Sequence, residues 1–134
     1  MELNNHHLIC MLIDDDSDDQ EIFALALKEA DPAAKCISVN DAMEGLRLLR
    51  SGTVPDIIFL DVNMHKINGL ACLREIRKIG GLDKVRVIMT STAADPAVIR
   101  QCFALGAEKY MVKPPGLEPY VKALQDTLKQ ENIT

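Results

Sequence analysis

Five short apolar runs, Leu8–Ile13, Lys35–Val39, Ile57–Leu60, Val85–Thr90 and Lys109–Val112, alternate along the chain with stretches whose apolar residues recur at three and four positions. The runs have strand length. The spacing between them, as in Ile22, Phe23, Ala26, Leu27 and Ala30, or Val98, Ile99, Cys102 and Phe103, gathers apolar groups on one side of a helix. Local signals agree: Ser17 with Gln20 and Asp41 with Glu44 fit capping boxes, and Asp95 before Pro96 fits an N-cap ahead of a first-turn proline. Gly106 and the pair Ser51, Gly52 are stop signals. The pattern reads βα five times.

Strands joined by helical crossovers run parallel, and the right-handed crossover rule covers both faces of their sheet with helices. The expected fold is therefore α/β, a three-layer sandwich around a (βα)5 doubly wound, flavodoxin-like parallel sheet. The runs around Cys10 and Ile58 are apolar at every position, as strands buried on both faces should be, whereas Lys35–Val39 and the segment around Tyr110 read as edges. That favours the strand order 2-1-3-4-5. In such a sheet the functional crevice lies beyond the carboxyl ends of the strands, beside the switch between the first and third. No linker, repeat or low-complexity stretch interrupts the 134 residues, so one domain, 1–134, is expected, with a core of about 8–130 and a frayed tail at 130–134.

Several function classes fall away. The longest purely apolar run, Leu8–Ile13, is far short of the roughly 20 residues of a membrane helix, and Met1–His7 has neither a basic start nor a cleavage site. A cytoplasmic protein without membrane contact is expected. Fifteen Lys and Arg against 20 Asp and Glu, with no basic cluster, argue against direct contact with nucleic acid. Cys10, Cys36, Cys72 and Cys102, spread without a C-x-x-C pair, read as buried, reduced thiols.

The conspicuous polar groups all follow strands: Asp14, Asp15 and Asp16 after the first, Asp61, Val62 and Asn63 after the third, Thr90, Ser91 and Thr92 after the fourth, and Lys113 and Pro114 after the fifth. Neighbouring parallel strands lie about 4.8 Å apart, so Asp14, Asp15 and Asp61 should converge. Two like charges 4 Å apart cost on the order of 4 kcal/mol at an effective dielectric of about 20. A cation is expected among them. The ligands are hard oxygens with no His or Cys to complete a soft set, which points to Mg²⁺, with Mn²⁺ as a substitute. Lys113 reads either as an ordinary surface lysine or, aimed by a Lys113–Pro114 bond that could be cis, as an ammonium completing an anion site sized for a phosphoryl group. Ser91, or its neighbour Thr90, could add a hydroxyl. A plainer account exists for part of the acidic run, because six of the eight residues from Asp14 to Glu21 are acidic and acids favour helix N-termini. Capping explains Asp18, Asp19 and Glu21, but not Asp61.

Taken together, Leu12-Ile13-Asp14-Asp15-Asp16, Phe59-Leu60-Asp61-Val62-Asn63-Met64 through Gly69, Thr90-Ser91, and Gly106-Ala107 to Tyr110 ahead of Lys113-Pro114 resemble the receiver domain of two-component response regulators. The resemblance implies a phospho-acceptor at Asp61, with Asp15, Asp61 and the Asn63 carbonyl binding Mg²⁺ and Asp14 helping through water. Lys113 would pair with Asp61 and then with its phosphate. The donor would be a phosphohistidine on a sensor histidine kinase or histidine phosphotransfer protein, or a small acyl phosphate. Ser91 and Tyr110 would then switch the face made by the fourth helix, fifth strand and fifth helix toward a downstream protein target, and a phosphorylation-dependent dimer is one form such a response could take. Tyr110 also reads simply as a half-buried edge aromatic.

The sequence departs from the family pattern at three places. His65 stands where proline is usual, Ser91 where threonine is common, and Pro115 where an aromatic is frequent. Asn63 and Ala93 occupy positions that tune phosphate lifetime in the family. Two other functions stay on the table. A haloacid-dehalogenase-like phosphatase also uses an aspartyl nucleophile, a Ser or Thr, a Lys and Mg²⁺, but places its nucleophile near the first strand with an acid two positions on, where this chain has Asn63. A receiver-like scaffold would bind without ever using the acceptor. The expected protein is no enzyme beyond its own phosphorylation and dephosphorylation.

Overall fold

Each apolar run becomes a strand and each three-and-four stretch a helix in the computed structural model, which describes residues 7–129. The expected tail at 130–134 lies outside them. In chain order the elements are β1 (Ile9–Ile13), α1 (Ser17–Ala30), β2 (Lys35–Val39), α2 (Ala42–Arg50), β3 (Ile57–Asp61), α3 (Gly69–Arg77), β4 (Arg86–Ser91), α4 (Pro96–Ala104), β5 (Lys109–Val112) and α5 (Leu117–Lys129). The strands pair in parallel in the order β2-β1-β3-β4-β5. All five residues of β3 are buried, while β2 and β5 are the exposed edges.

Alternate residues of the central strands feed two cores, as a pleated strand requires. Met11, Ile13, Ile58, Leu60, Val87 and Met89 pack on one face with Leu46 and Leu49 of α2, Leu73 and Ile76 of α3, and Cys102 of α4. Cys10, Leu12, Ile57, Phe59 and Ile88 pack on the other with Phe23 and Leu27 of α1 and Tyr120 and Leu124 of α5. The Phe23 ring meets Phe59 and Tyr120 edge-on, with centroids 4.9 and 6.0 Å away. Each fully buried side chain of this size contributes about 1.5–3 kcal/mol. The result is the three-layer sandwich.

Helix starts follow side-chain caps, with two corrections. Asp16, not Ser17, caps α1, its carboxylate accepting from the N–H groups of Asp18 and Asp19 at 2.8 and 3.1 Å. A carboxylate brings a full negative charge to the positive helix end, which a hydroxyl does not. Asp41 caps α2 through the Glu44 N–H at 2.8 Å, but Glu44 turns to Arg47 instead of closing the box. Asp95 accepts from the Ala97 N–H ahead of Pro96, as expected. Gly52 and Gly106, at φ of 110° and 98°, follow the ends of α2 and α4 in a conformation other residues rarely adopt.

Cys10, Cys72 and Cys102 are buried, but Cys36 is exposed, contrary to expectation. Only Val39 of β2 is buried, so a thiol at the second position of this edge strand meets solvent. Among the described residues no helix is long and apolar enough to cross a membrane.

The register places the site. Ile13 lies level with Leu60, Asp61 with Thr90, and Ser91 with Val112. Asp14, Asp61, Ser91 and Lys113 therefore emerge together at one rim.

Candidate functional site

One ammonium organises this rim. Lys113 Nζ donates to Asp19 Oδ2 at 2.6 Å, Asp14 Oδ2 at 3.0 Å and Asp61 Oδ2 at 3.3 Å, which commits all three of its donors. The side chains of Lys113, Asp14 and Asp61 are 10%, 2% and 6% exposed, against 34% for Asp19. The other oxygens of the two buried acids are also engaged: Asp14 Oδ1 accepts from the Asp16 N–H at 2.9 Å and Asp61 Oδ1 from the Asn63 N–H at 3.0 Å. No peptide bond among the described residues is cis, so the Lys113–Pro114 bond is trans. The three carboxylates aim Lys113 instead, helped by its N–H, which donates to the Ser91 carbonyl at 2.8 Å.

Burial and charge act in opposition here. Desolvation pushes the Asp14 carboxyl up to about 6, against the Asp16 N–H and Lys113, which favour its ionised form. Burial raises Asp61 as well, against the charge of Lys113. For Lys113 burial alone would lower the pKa, but hydrogen bonds to Asp19 and Asp14 and the charges of Asp14 and Asp61 together hold it well above 10.5. Lys113 stays protonated. Three formal negative charges, Asp14, Asp19 and Asp61, still face that one positive charge.

The expected convergence is realised with a change of membership. Ligand oxygens of Asp14, Asp19 and Asp61 lie within 4.8 Å of one another, but the point they surround is the Lys113 ammonium. Asp15 turns along the rim, where its Oδ2 accepts from the His65 N–H at 2.9 Å and lies 3.6 Å from His65 Nδ1. It thereby ties the loop after β1 to the loop after β3. Asp19 took its place in the cluster unforeseen, because an acid in a first helical turn is already explained by the helix dipole. The signal that could have found it is positional: the first turn of α1 belongs to the same rim as the strand ends.

Ser91, and not Thr90, carries the hydroxyl joined to the loop after Asp61. Ser91 Oγ accepts from Asn63 Nδ2 at 3.3 Å and from the Ala93 N–H at 3.1 Å. Thr90 Oγ1 is buried with no hydrogen-bond partner among the described residues. Tyr110 donates its hydroxyl to the Ala93 carbonyl at 2.5 Å, so Ser91 and Tyr110 grip the same residue from its two ends.

Fold and rim together define a flavodoxin-like α/β domain with an acidic, lysine-centred site at the switch between β1 and β3. Within that class the particular assignment is clear: the chain belongs to the response regulator receiver domain family, whose profile its residues 10–125 match. It is 33% identical over 135 residues to the probable C4-dicarboxylate response regulator DctR of Bacillus subtilis, an alignment covering 92% of this chain and 58% of that protein. Two solved structures share its fold. The phosphorylated cyanobacterial phytochrome response regulator RcpA has a TM-score of 0.86 at 24% identity, over 96% of this chain and 98% of RcpA. The Mn²⁺-bound form of response regulator Rcp1 has a TM-score of 0.80 at 21% identity, over 95% and 97%. A receiver domain is a signalling domain of two-component systems.

Proposed function

We propose that the chain, read as one receiver domain over 1–134, is a response regulator in which Asp61 accepts a phosphoryl group and so switches a protein-binding face. The observation that carries this reading is the buried Asp61 carboxylate at the end of β3, within reach of an ammonium that Asp14 and Asp19 hold in place. An Asp61 oxygen attacks the phosphorus of a phosphohistidine; the P–N bond breaks and its electron pair returns to the imidazole, which takes up a proton. The product is an acyl phosphate on Asp61. Lys113 meets the charge that develops on the equatorial oxygens.

The donor set fits a hard divalent cation, because it is all oxygen and its formal negative charge exceeds what Lys113 supplies. Asp15, Asp61 and the Asn63 carbonyl would hold Mg²⁺, or Mn²⁺, with Asp14 acting through water. The ion would supply positive charge beside the transferring phosphoryl group.

The phosphoryl donor is a sensor histidine kinase, a histidine phosphotransfer protein or a small acyl phosphate, and the readout is a downstream protein that meets α4, β5 and α5. Ser91, drawn toward the phosphoryl oxygens, gives up the Ala93 N–H, and Ala93 is also the residue Tyr110 holds. Such couplings are typically 1–3 kcal/mol, enough to change affinity for a partner about 5- to 150-fold. The phosphatase alternative fits less well, because the residue two beyond Asp61 is Asn63, whose N–H is already bonded to Asp61 Oδ1. Acyl phosphate with Mg²⁺ should label the wild type once per chain and leave Asp61→Asn unlabelled. Sustained turnover of a generic phosphatase substrate, or labelling of Asp61→Asn, overturns the reading.

A further inference from the structure

Resting on that reading, we infer that Asp19 is a positioning residue that restrains Lys113, competing with the phosphorylated Asp61 for its ammonium. The contact from Asp19 is the shortest of the three on Lys113 Nζ, 2.6 Å against 3.0 and 3.3 Å. Its carboxylate has no part in capping α1, since there it is the Asp19 N–H that donates, to Asp16. Among the described residues its ion pair is with Lys113. Asp14 and Asp61 are buried and already hold the lysine, so a third, partly exposed acid adds little to stability. What it changes is where the ammonium rests.

The three N–H donors of Lys113 are fully committed before any phosphoryl group arrives. A phosphoryl group on Asp61 takes over the donor that now meets Asp61 Oδ2, and because its oxygens lie beyond that carboxylate the ammonium must shift to reach them. One of the two other acids, Asp14 or Asp19, then loosens its hold. Asp14 is 2% exposed, so its Oδ2 would be stranded away from water, whereas Asp19 is 34% exposed and water can take over its hydrogen bond. Asp19 therefore opposes the phosphorylated state twice, by holding the ammonium back and by repelling the new anion. The sequence of this chain thus carries a brake on its own switch.

The test uses beryllium trifluoride, a phosphoryl analogue, titrated at saturating Mg²⁺ and read by fluorine NMR. Asp19→Asn should lower the half-saturating concentration about two- to fivefold, the range of exposed charge couplings. Asp19→Glu, which keeps the charge, should stay near the wild type, and the gain from Asp19→Asn should shrink in high salt, since its carboxylate is partly exposed. A merely structural role cannot improve binding. Unchanged or weaker binding by Asp19→Asn, or an Asp19→Glu protein that matches Asp19→Asn, overturns the inference and leaves the proposed function standing. No binding by the wild type overturns the proposed function, and the inference with it.

Discussion

Gly69 is where the backbone at Asp61 sets a limit. A Cβ there would run into the Asp61 carbonyl oxygen and lie 2.7 Å from Val62 Cα, both backbone atoms that no rotamer change can move. Its N–H meanwhile donates to the Val62 carbonyl at 2.9 Å, drawing the start of α3 against the end of β3. Gly69→Ala should therefore cost about 1–3 kcal/mol in urea denaturation, the usual range for overpacking, and should weaken labelling of Asp61 because relief displaces β3. Gly45→Ala is the control. Its Cβ would meet the Ile13 Cδ1 at 2.8 Å, the far end of a flexible side chain, so the loss should be smaller and labelling should persist. Equal losses for the two variants would sink the argument. At this scale the sequence was readable at several strand ends: Asp14 and Asp61 converge as the strand order implied, and Lys113 meets Asp61 as the family resemblance implied. It was unreadable where side-chain direction depends on loop geometry, so Asp15 turned to His65 and Asp19 entered the cluster. Cys36 is a related case, because an apolar run does not say which of its faces will be covered.

Among elements, one side chain joins β4 to α5. Arg86 donates to both carboxylate oxygens of Glu108, just ahead of β5, at 2.7 Å each, and to the Thr127 carbonyl in α5 at 2.9 Å. Its side chain is 12% exposed, so its head group is largely desolvated, whereas Glu108 is 37% exposed and partly screened. Removing Arg86 strands the Thr127 carbonyl in a buried stretch of α5; replacing Glu108 with Gln keeps one acceptor oxygen for the guanidinium, which also keeps its bond to Thr127. Arg86→Met, which keeps the stem, should cost about 1–3 kcal/mol in urea denaturation and speed hydrogen exchange in α5. Glu108→Gln should cost under about 1 kcal/mol. A larger loss from Glu108→Gln than from Arg86→Met would contradict this ranking. The strands themselves were legible to within a residue, because the middles of β1, β3 and β4, Cys10–Ile13, Ile57–Leu60 and Val87–Met89, are buried on both faces and so are apolar without a break. Helix starts were legible through Asp41 and Asp95, and missed by one residue at α1, where several acids in a row offered competing caps.

In the whole molecule, the strand order that buries β1 and β3 also gathers the acids at one rim, so stability and charge repulsion are opposed by construction. The opposition predicts how the fold responds to pH. Burial takes Asp14 from 3.8 to about 6 and raises Asp61 with it. Between about pH 4 and 6 the unfolded chain has released a proton that folded Asp14 still holds, so the folded state binds more protons and stability falls as pH rises. Lys113, held above 10.5, stays charged across this window and adds no slope. Glu108, lowered by its hydrogen bonds to Arg86, acts in the other sense, and the stability it adds is lost only as pH falls below the usual range for Glu. With a chelator present, the urea midpoint should therefore be higher near pH 5 than near pH 7.5, by at most on the order of 3 kcal/mol in stability. Asp14→Asn should flatten that slope. A divalent ion that binds only the folded rim adds stability by mass action, and protons compete with it for the same carboxylates. Millimolar Mg²⁺ should then raise the midpoint clearly near pH 7.5 and much less near pH 5. A chelated protein equally stable at both pH values, or one that Mg²⁺ stabilises equally at both, would show that the buried acids are not set against one another as their geometry requires.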